Sequence, residues 1–528
     1  MSVILSRMVR NALTMMLGTF ASRILGLARE IITAALFGAS RSLDAFYIAY
    51  TLANLARQLL AEGALSAAFV PVFTQVLEKD GRGRAENLAR QASSVLLFLC
   101  AAVVVLGYLM SPLLVSLMAP GFDVEKANLA VSLTRWMFPY LMMVSMAALA
   151  MGVLNSMGRF FVPAVAPAMA NVAYITIVLL FASRSGVSCL VWAVLLGGVL
   201  QMGVQLLAVS REGVSLLPAI PKKGDPELKR MMLLFLPYAA GLSLNQINPI
   251  ISRVLGSFLQ DGAISVLNYA NRVIQLPLGL VVIAISQAVL PELSRCMLEG
   301  DRVFSETVRD SVRFALFAIL PITVAACMVS SPVIHVLFYR GAFDEWAWNA
   351  TSLAMSMYAL GLPGMACSTV VMRALYAKGL TKAAVAVTVS SVVSNLVLSV
   401  LLLRPMGFSG LALATSIAFT LSSFVGLSLL GRKTTHRIGL FDMSWIGKNL
   451  VALSALAVAL YGLSTLYPYP QDGSMAWRSL WILFAAILGG ASYIGGAAVM
   501  GSGELRWIKE AVVSRKRKDI KRRDESNR

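Results

Sequence analysis

The sequence predicts an all-α polytopic membrane protein of about fourteen transmembrane helices: two six-helix lobes in parallel pseudo-repeat plus two C-terminal helices. Three observations lead there. Of 528 residues, 58% are hydrophobic and only 13% charged, a balance far too apolar for a soluble chain. Apolar stretches near the roughly 20 residues needed to cross a bilayer recur along almost the whole length. Lys and Arg crowd alternate loops, as expected of loops facing the cytoplasm.

The first span, 11–37, carries Ser22, Arg23, Arg29 and Glu30 and runs past any cleavage site, so no cleavable signal peptide is expected. The second, 44–76, holds Asp44, Asn54, Arg57 and Glu62. Spans at 91–117, 128–155, 161–183 and 187–209 complete an N-terminal lobe, 1–210. A basic cytoplasmic linker follows at 211–230, with Arg211, Lys222, Lys223, Lys229 and Arg230 around Pro218 and Pro221. The C-terminal lobe, 231–432, contains spans at 231–258, 263–291, 312–337, 347–375, 380–403 and 408–431. Two additional spans, 445–467 and 478–500, lie within 433–503. The basic tail, 504–528, reads as an anchor to anionic lipid headgroups.

The parallel repeat rests on two short matches at similar offsets. Ser66-Ala-Ala-Phe-Val-Pro71 echoes Ser286-Gln-Ala-Val-Leu-Pro291, and Ser22-Arg-Ile-Leu-Gly26 echoes Ser252-Arg-Val-Leu-Gly256. An even number of spans between copies gives both the same orientation, and transporters built this way bind substrate at the repeat interface. The loop charges place both termini in the cytoplasm. A net charge of +19 would suggest nucleic acid in a soluble protein; here its distribution assigns it to loops, and no nucleic-acid partner is expected.

The chemistry-bearing residues are the arginines placed where lipid should be: Arg23, Arg29, Arg57, Arg253 and Arg272. A charge inside a bilayer is costly and normally faces water or a partner. Few carboxylates accompany these cations, so the expected ligand is anionic, and the planar guanidinium fork suits phosphate. On the first helix, Ser22 with Arg29 and Arg23 with Glu30 form a polar wedge. Asn54 and Arg57 share a face of the second helix, and Asn268, Arg272 and Gln275 form a stripe in the second lobe. For any single arginine the alternatives are snorkelling to an interface or an ion pair between helices; Arg135, near the start of its span, is placed to snorkel.

Other chemistries find little support. Cys100, Cys189, Cys296, Cys327 and Cys367 have no paired spacing, and His335 and His436 sit in unrelated places. No metal site, catalytic residue or cofactor is expected, and the chain does not read as an enzyme. The stretch from Gly426 to Thr434 nearly matches a phosphate-binding loop, but an extra Arg spoils the spacing and its context is a helix end.

At this point a family resemblance becomes specific. Ser22-Arg23-Ile-Leu-Gly26-Leu-Ala-Arg29-Glu30, Leu43-Asp44-Ala-Phe46, Asn54-Leu-Ala-Arg57 and Ala61-Glu62-Gly63-Ala64 resemble the first two helices of the MurJ (MviN) family of bacterial lipid II flippases. Ala119-Pro-Gly-Phe122, Asn268-Tyr-Ala-Asn-Arg272 and the segment Leu337 to Asp344 extend the likeness in order along the chain. The resemblance places it in the multidrug/oligosaccharidyl-lipid/polysaccharide exporter superfamily.

It implies two six-helix lobes around a central cavity, with two extra helices forming a groove for a lipid tail. The implied function is alternating-access transfer of undecaprenyl-pyrophosphate-linked lipid II from the cytoplasmic to the periplasmic leaflet of the bacterial inner membrane. Arg23, Arg29, Arg57 and Arg272 match the family's cavity cations; Arg253, Asn54 and Ser22 join them as substrate-binding candidates. Glu30, Asp44 and Glu62 are expected to gate or balance charge. Membrane lipids, and the cell-wall synthesis machinery, are the further partners implied. There are departures: Ala53 stands where a proline usually precedes Asn54, Asn271 and Gln275 replace positions acidic in some relatives, and Thr369 replaces a cation, with Arg373 one turn later. A related exporter of another polyprenyl-linked saccharide, or of drugs, would share the architecture.

Overall fold

The computed structural model describes residues 21–60, 64–221, 224–434, 438–440 and 442–507. Every regular element among them is helical, as the composition predicts. The chain divides into two compact units. The first comprises Met1–Val266 with Arg340–Ala347, the second Leu267–Tyr339 with Trp348–Arg528.

The first unit begins with α1 (21–37), α2 (Arg41–Leu60), α3 (Ala64–Lys79), α4 (Gly81–Leu109) and α5 (Ser111–Met118). It continues through α6 (Val124–Met137), α7 (Tyr140–Ser156), α8 (Phe161–Ser185), α9 (Ser188–Arg211), α10 (Pro226–Ser243) and α11 (Ile247–Gly256). The first residues of α12 (Ala263–Pro277) also belong to it. Its core is built by α3, α4 and α7, where Phe69 and Phe73 stack at 5.1 Å and Leu88, Leu141, Leu149 and Val153 are fully enclosed. Leu228, Met231 and Phe235 of α10 close the same core.

The basic linker is not a loose tether where it is described. Residues 214–219 run as an extended strap along the start of α4. Ser93 Oγ donates to the Leu216 carbonyl (2.9 Å), Arg90 Nε to Leu217 (3.1 Å) and Ser94 Oγ to Ala219 (2.6 Å). Glu86 accepts from the Ser215 amide (3.1 Å). A buried carboxylate, Asp225, finishes the strap by accepting from Arg84 (2.9 Å) and Gln91 (3.1 Å). Burial opposes its charge, yet hydrogen bonding with Glu227, Leu228 and Gln91, together with the Arg84 guanidinium, holds it below the usual carboxylate range.

The second unit contains α13 (Ile283–Glu299), α14 (Asp301–Met328), α15 (Ser330–Phe338), most of α16 (Glu345–Ala359), α17 (Leu362–Ala377), α18 (Thr381–Gly431), α19 (Met443–Leu466) and α20 (Met475–Val499). A π turn, Leu278–Val282, follows Pro277 and leads into α13. The last two helices pair through Leu456, Leu460 and Tyr493 and are tied to α14 by Tyr493, whose hydroxyl donates to the Phe317 carbonyl (3.0 Å).

Nine helices among the described residues are long and apolar enough to cross a membrane, or ten if the bent pair α16–α17 is one span. Two features contribute to the difference from about fourteen expected spans. Charges such as Asp44 and Arg57 interrupt the apolar run of α2. The 51-residue stretch α18 breaks at Gly407 (φ 57°, ψ −132°) into two helical segments, each about 36–39 Å long at 1.5 Å per residue, so it accommodates two passes.

Candidate functional site

Arg29 and Glu30 stand side by side on α1, and α2 answers them. Tyr47, Tyr50, Asn54 and Arg57 recur at helical spacing along one stripe of α2. Arg29 Nη2 donates to Glu30 Oε1 at 2.8 Å, while Tyr47 donates its hydroxyl proton to Glu30 Oε2 at 3.0 Å. The Arg29 guanidinium also lies over Tyr174 of α8 (5.0 Å to the centroid) and near Tyr50 (6.0 Å). Arg253 of α11 lies over the ring of the same Tyr47 (5.6 Å) and donates to the Ile264 carbonyl (3.2 Å). One carboxylate, Glu30, and one tyrosine, Tyr47, thus join two arginines from distant parts of the sequence.

The remaining predicted cations are placed as follows. Arg57 donates from Nε to Asn54 Oδ1 at 2.8 Å, so the two hold each other on the α2 stripe. Arg23 is half-buried on α1, and Asn171 of α8 donates to the Ser22 carbonyl (3.3 Å), tying α8 to α1. Arg272 is half-buried in the second unit, on the least buried face of α12 with Asn268, Asn271 and Gln275. Glu62 lies outside the described residues. Arg373 donates from Nε to Ser286 Oγ at 2.9 Å within the second unit.

Arg29 is paired with the carboxylate of Glu30, Arg57 donates to an amide oxygen, and Arg29 and Arg253 both lie over tyrosine faces. Aromatic rings attract a cation without cancelling its charge as a carboxylate does. Such a wall can bind an anion.

Asp44 has a different setting. It is 1% exposed and accepts from Lys126 Nζ (3.0 Å), the Gly262 amide (2.8 Å), and the Ser265 amide and hydroxyl (2.9 and 2.7 Å). It thereby satisfies amides at the start of α12, where a helix end favours a negative charge. Lys126 also reaches Asp261 (2.8 Å) and sits over the Phe122 ring (4.2 Å). Arg41 adds ion pairs to Asp123, Glu125 and Asp261 at the same end. Close backbone approach there requires glycine. At Gly262 (φ +87°) and Gly341 (φ +61°) a β-carbon would fall on the carbonyl oxygens of Ala39 and Ala35.

Sequence reasoning misses Lys126, Tyr47, Tyr50 and Tyr174. Lys126 reads only as a loop cation, and its partners Asp44 and Asp261 are 82 and 135 residues away. The tyrosines do carry a usable signal, hydroxyls within otherwise apolar spans. No group of three or more His, Cys, Asp or Glu able to hold a metal occurs among the described residues.

Comparison with known proteins identifies the family. Residues 33–480 match the family model described as Lipid II flippase MurJ. A probable lipid II flippase MurJ of Rhizobium tropici is 36% identical over 465 residues, covering 86% of each chain. The lipid II flippase MurJ of Burkholderia cenocepacia is 32% identical over 514 residues, covering 93% of this chain and 97% of that one. Among solved structures, a lipid II flippase MurJ in an inward closed conformation superposes with a TM-score of 0.77 at 25% identity, covering 92% and 98%. A multidrug-resistance MATE transporter in its inward-facing conformation shares the fold (TM-score 0.67, 16% identity, 79% and 94% covered). A family model matching most of the chain, and relatives more than 30% identical along nearly its whole length, establish that this polytopic membrane protein belongs to the lipid II flippase MurJ family.

Proposed function

We infer that this chain is a transporter that moves lipid II from the cytoplasmic to the periplasmic leaflet of the bacterial inner membrane by alternating access, with both termini in the cytoplasm. The observation that carries the reading is the convergence of Arg29 of α1 and Arg253 of α11 on the Glu30–Tyr47 pair. The names of the relatives, lipid II flippases, supply the substrate class.

In this account Arg23, Arg29, Arg57 and Arg253 hold the pyrophosphate, and Arg272 is a further phosphate ligand during the cycle. Ser22 and Asn54 offer polar contacts beside them. Each guanidinium donates paired N–H bonds to phosphate oxygens, with no proton transfer and no covalent step. Glu30 keeps Arg29 oriented before substrate arrives; because it also accepts from Tyr47, it retains a partner when phosphate takes its place on Arg29. Asp44 closes the periplasmic end by fastening α2 to Lys126 and to the start of α12, and Glu62 balances charge on α2's neighbours. Membrane lipids, and the cell-wall synthesis machinery, are its working partners.

Binding of lipid II to the purified protein tests this. Arg29→Ala and Arg272→Ala each remove a charge-assisted contact worth about 1.5–3 kcal/mol, so affinity falls roughly 10- to 100-fold while membrane insertion is kept. Unchanged affinity in both variants contradicts the assignment.

A further inference from the structure

Arg135 of α6 belongs to no part of the arginine network described above. Its Nε is sealed from solvent and has no hydrogen-bond partner among the described residues. A buried donor left open is costly, and an anion at the outward-facing end of the guanidinium would offset that cost. The guanidinium lies over the ring of Tyr108 on α4, 5.3 Å from its centroid. Next to it Trp136, 58% exposed, packs against the similarly exposed Trp192 of α9, with centroids 5.8 Å apart. Tyr108 and Leu109 are exposed as well, so this corner faces outward.

Two markers give its depth. Trp192 sits one turn inside α9, just beyond the exposed turn that carries Arg184 and Ser185. The outward stripe of α6 is polar down to that level, with Glu125, Asn128 and Ser132 exposed, and then becomes Trp136. Polar residues above, a tryptophan pair at the boundary and an apolar α4 face alongside define the interfacial belt of a bilayer. The loop charges assign this end to the periplasmic side.

We propose that Arg135, Tyr108 and the Trp136–Trp192 pair form a binding site for the phosphodiester headgroup of a glycerophospholipid in the periplasmic leaflet. The guanidinium and the Tyr108 hydroxyl donate to phosphate oxygens, and the tryptophans pack on the glycerol and upper acyl carbons. A merely snorkelling arginine would keep Nε in water. Here Nε is enclosed, so the guanidinium is held in one orientation and offers a ligand its terminal amino groups. Free phosphate has no apolar part to cover the tryptophans, so the occupant is a lipid. The site is independent of the lipid II reading.

Native mass spectrometry of the full-length protein, titrated with phosphatidylglycerol, tests it. The unaltered protein is expected to retain one lipid that Arg135→Gln binds about tenfold more weakly, the loss of one charge-assisted phosphate contact. Tyr108→Leu weakens retention by less, Arg135→Lys keeps part of it, and Arg184→Gln, at an exposed periplasmic arginine, leaves it unchanged. Equal retention by Arg135→Gln and Tyr108→Leu overturns the proposal. So does displacement of the retained lipid by inorganic phosphate or by lipid II alone, which would assign the site to a free anion or to the substrate.

Discussion

Lys126 illustrates how a single side chain can be costly and necessary together. It is 3% exposed, and its ammonium is matched by Asp44, Asp261 and the Phe122 face. Removing one member of a buried pair strands the other charge, a loss of about 3–5 kcal/mol, whereas replacing both with apolar groups is far milder. Lys126→Ala should therefore lower the melting temperature of the detergent-solubilised protein clearly, and Asp44→Asn with Lys126→Met should recover part of the loss. A single variant that melts like the unaltered protein would show that the pair holds nothing together. Arg29 follows another logic. Glu30 and the rings of Tyr50 and Tyr174 hold it in place, and in the proposed role its truncation reads out in ligand affinity.

Among the elements, the strap 214–219 decides how α10 is carried. Hydrogen bonds to Ser93, Ser94, Arg90 and Glu86 fasten it to α4, and Asp225 locks its end just before α10 begins. Because the folded carboxyl of Asp225 titrates below its ordinary value of 3.8, its contribution is complete above that value and fades as pH falls through the folded one. Asp225→Asn should flatten the acid-side loss of stability below about pH 4 and speed proteolysis within the strap at neutral pH. Identical acid melting curves and equal cleavage rates would contradict the lock.

At the scale of the whole molecule, the class is legible because bilayer physics writes it into the sequence. Long apolar runs and alternating loop charge occur together where a chain crosses a membrane repeatedly. The polar faces of α1, α2 and α12 followed from helical spacing. What stayed hidden depends on contacts between distant segments. Nothing near Lys126 announces Asp44, nothing near Tyr174 announces Arg29, and nothing in the proline-containing basic linker announces that Ser93 and Ser94 hold its carbonyls.

The central claim, that intramembrane arginines carry a pyrophosphate-linked lipid across the bilayer, has one direct measurement. Bacteria depleted of their own flippase would express this chain, and a membrane-impermeant enzyme that cleaves the exposed headgroup would report lipid II on the outer leaflet. The account predicts that the chain restores cleavage and that Arg29→Ala and Arg272→Ala abolish it while still accumulating in the membrane. Restored cleavage that persists in both variants would contradict it.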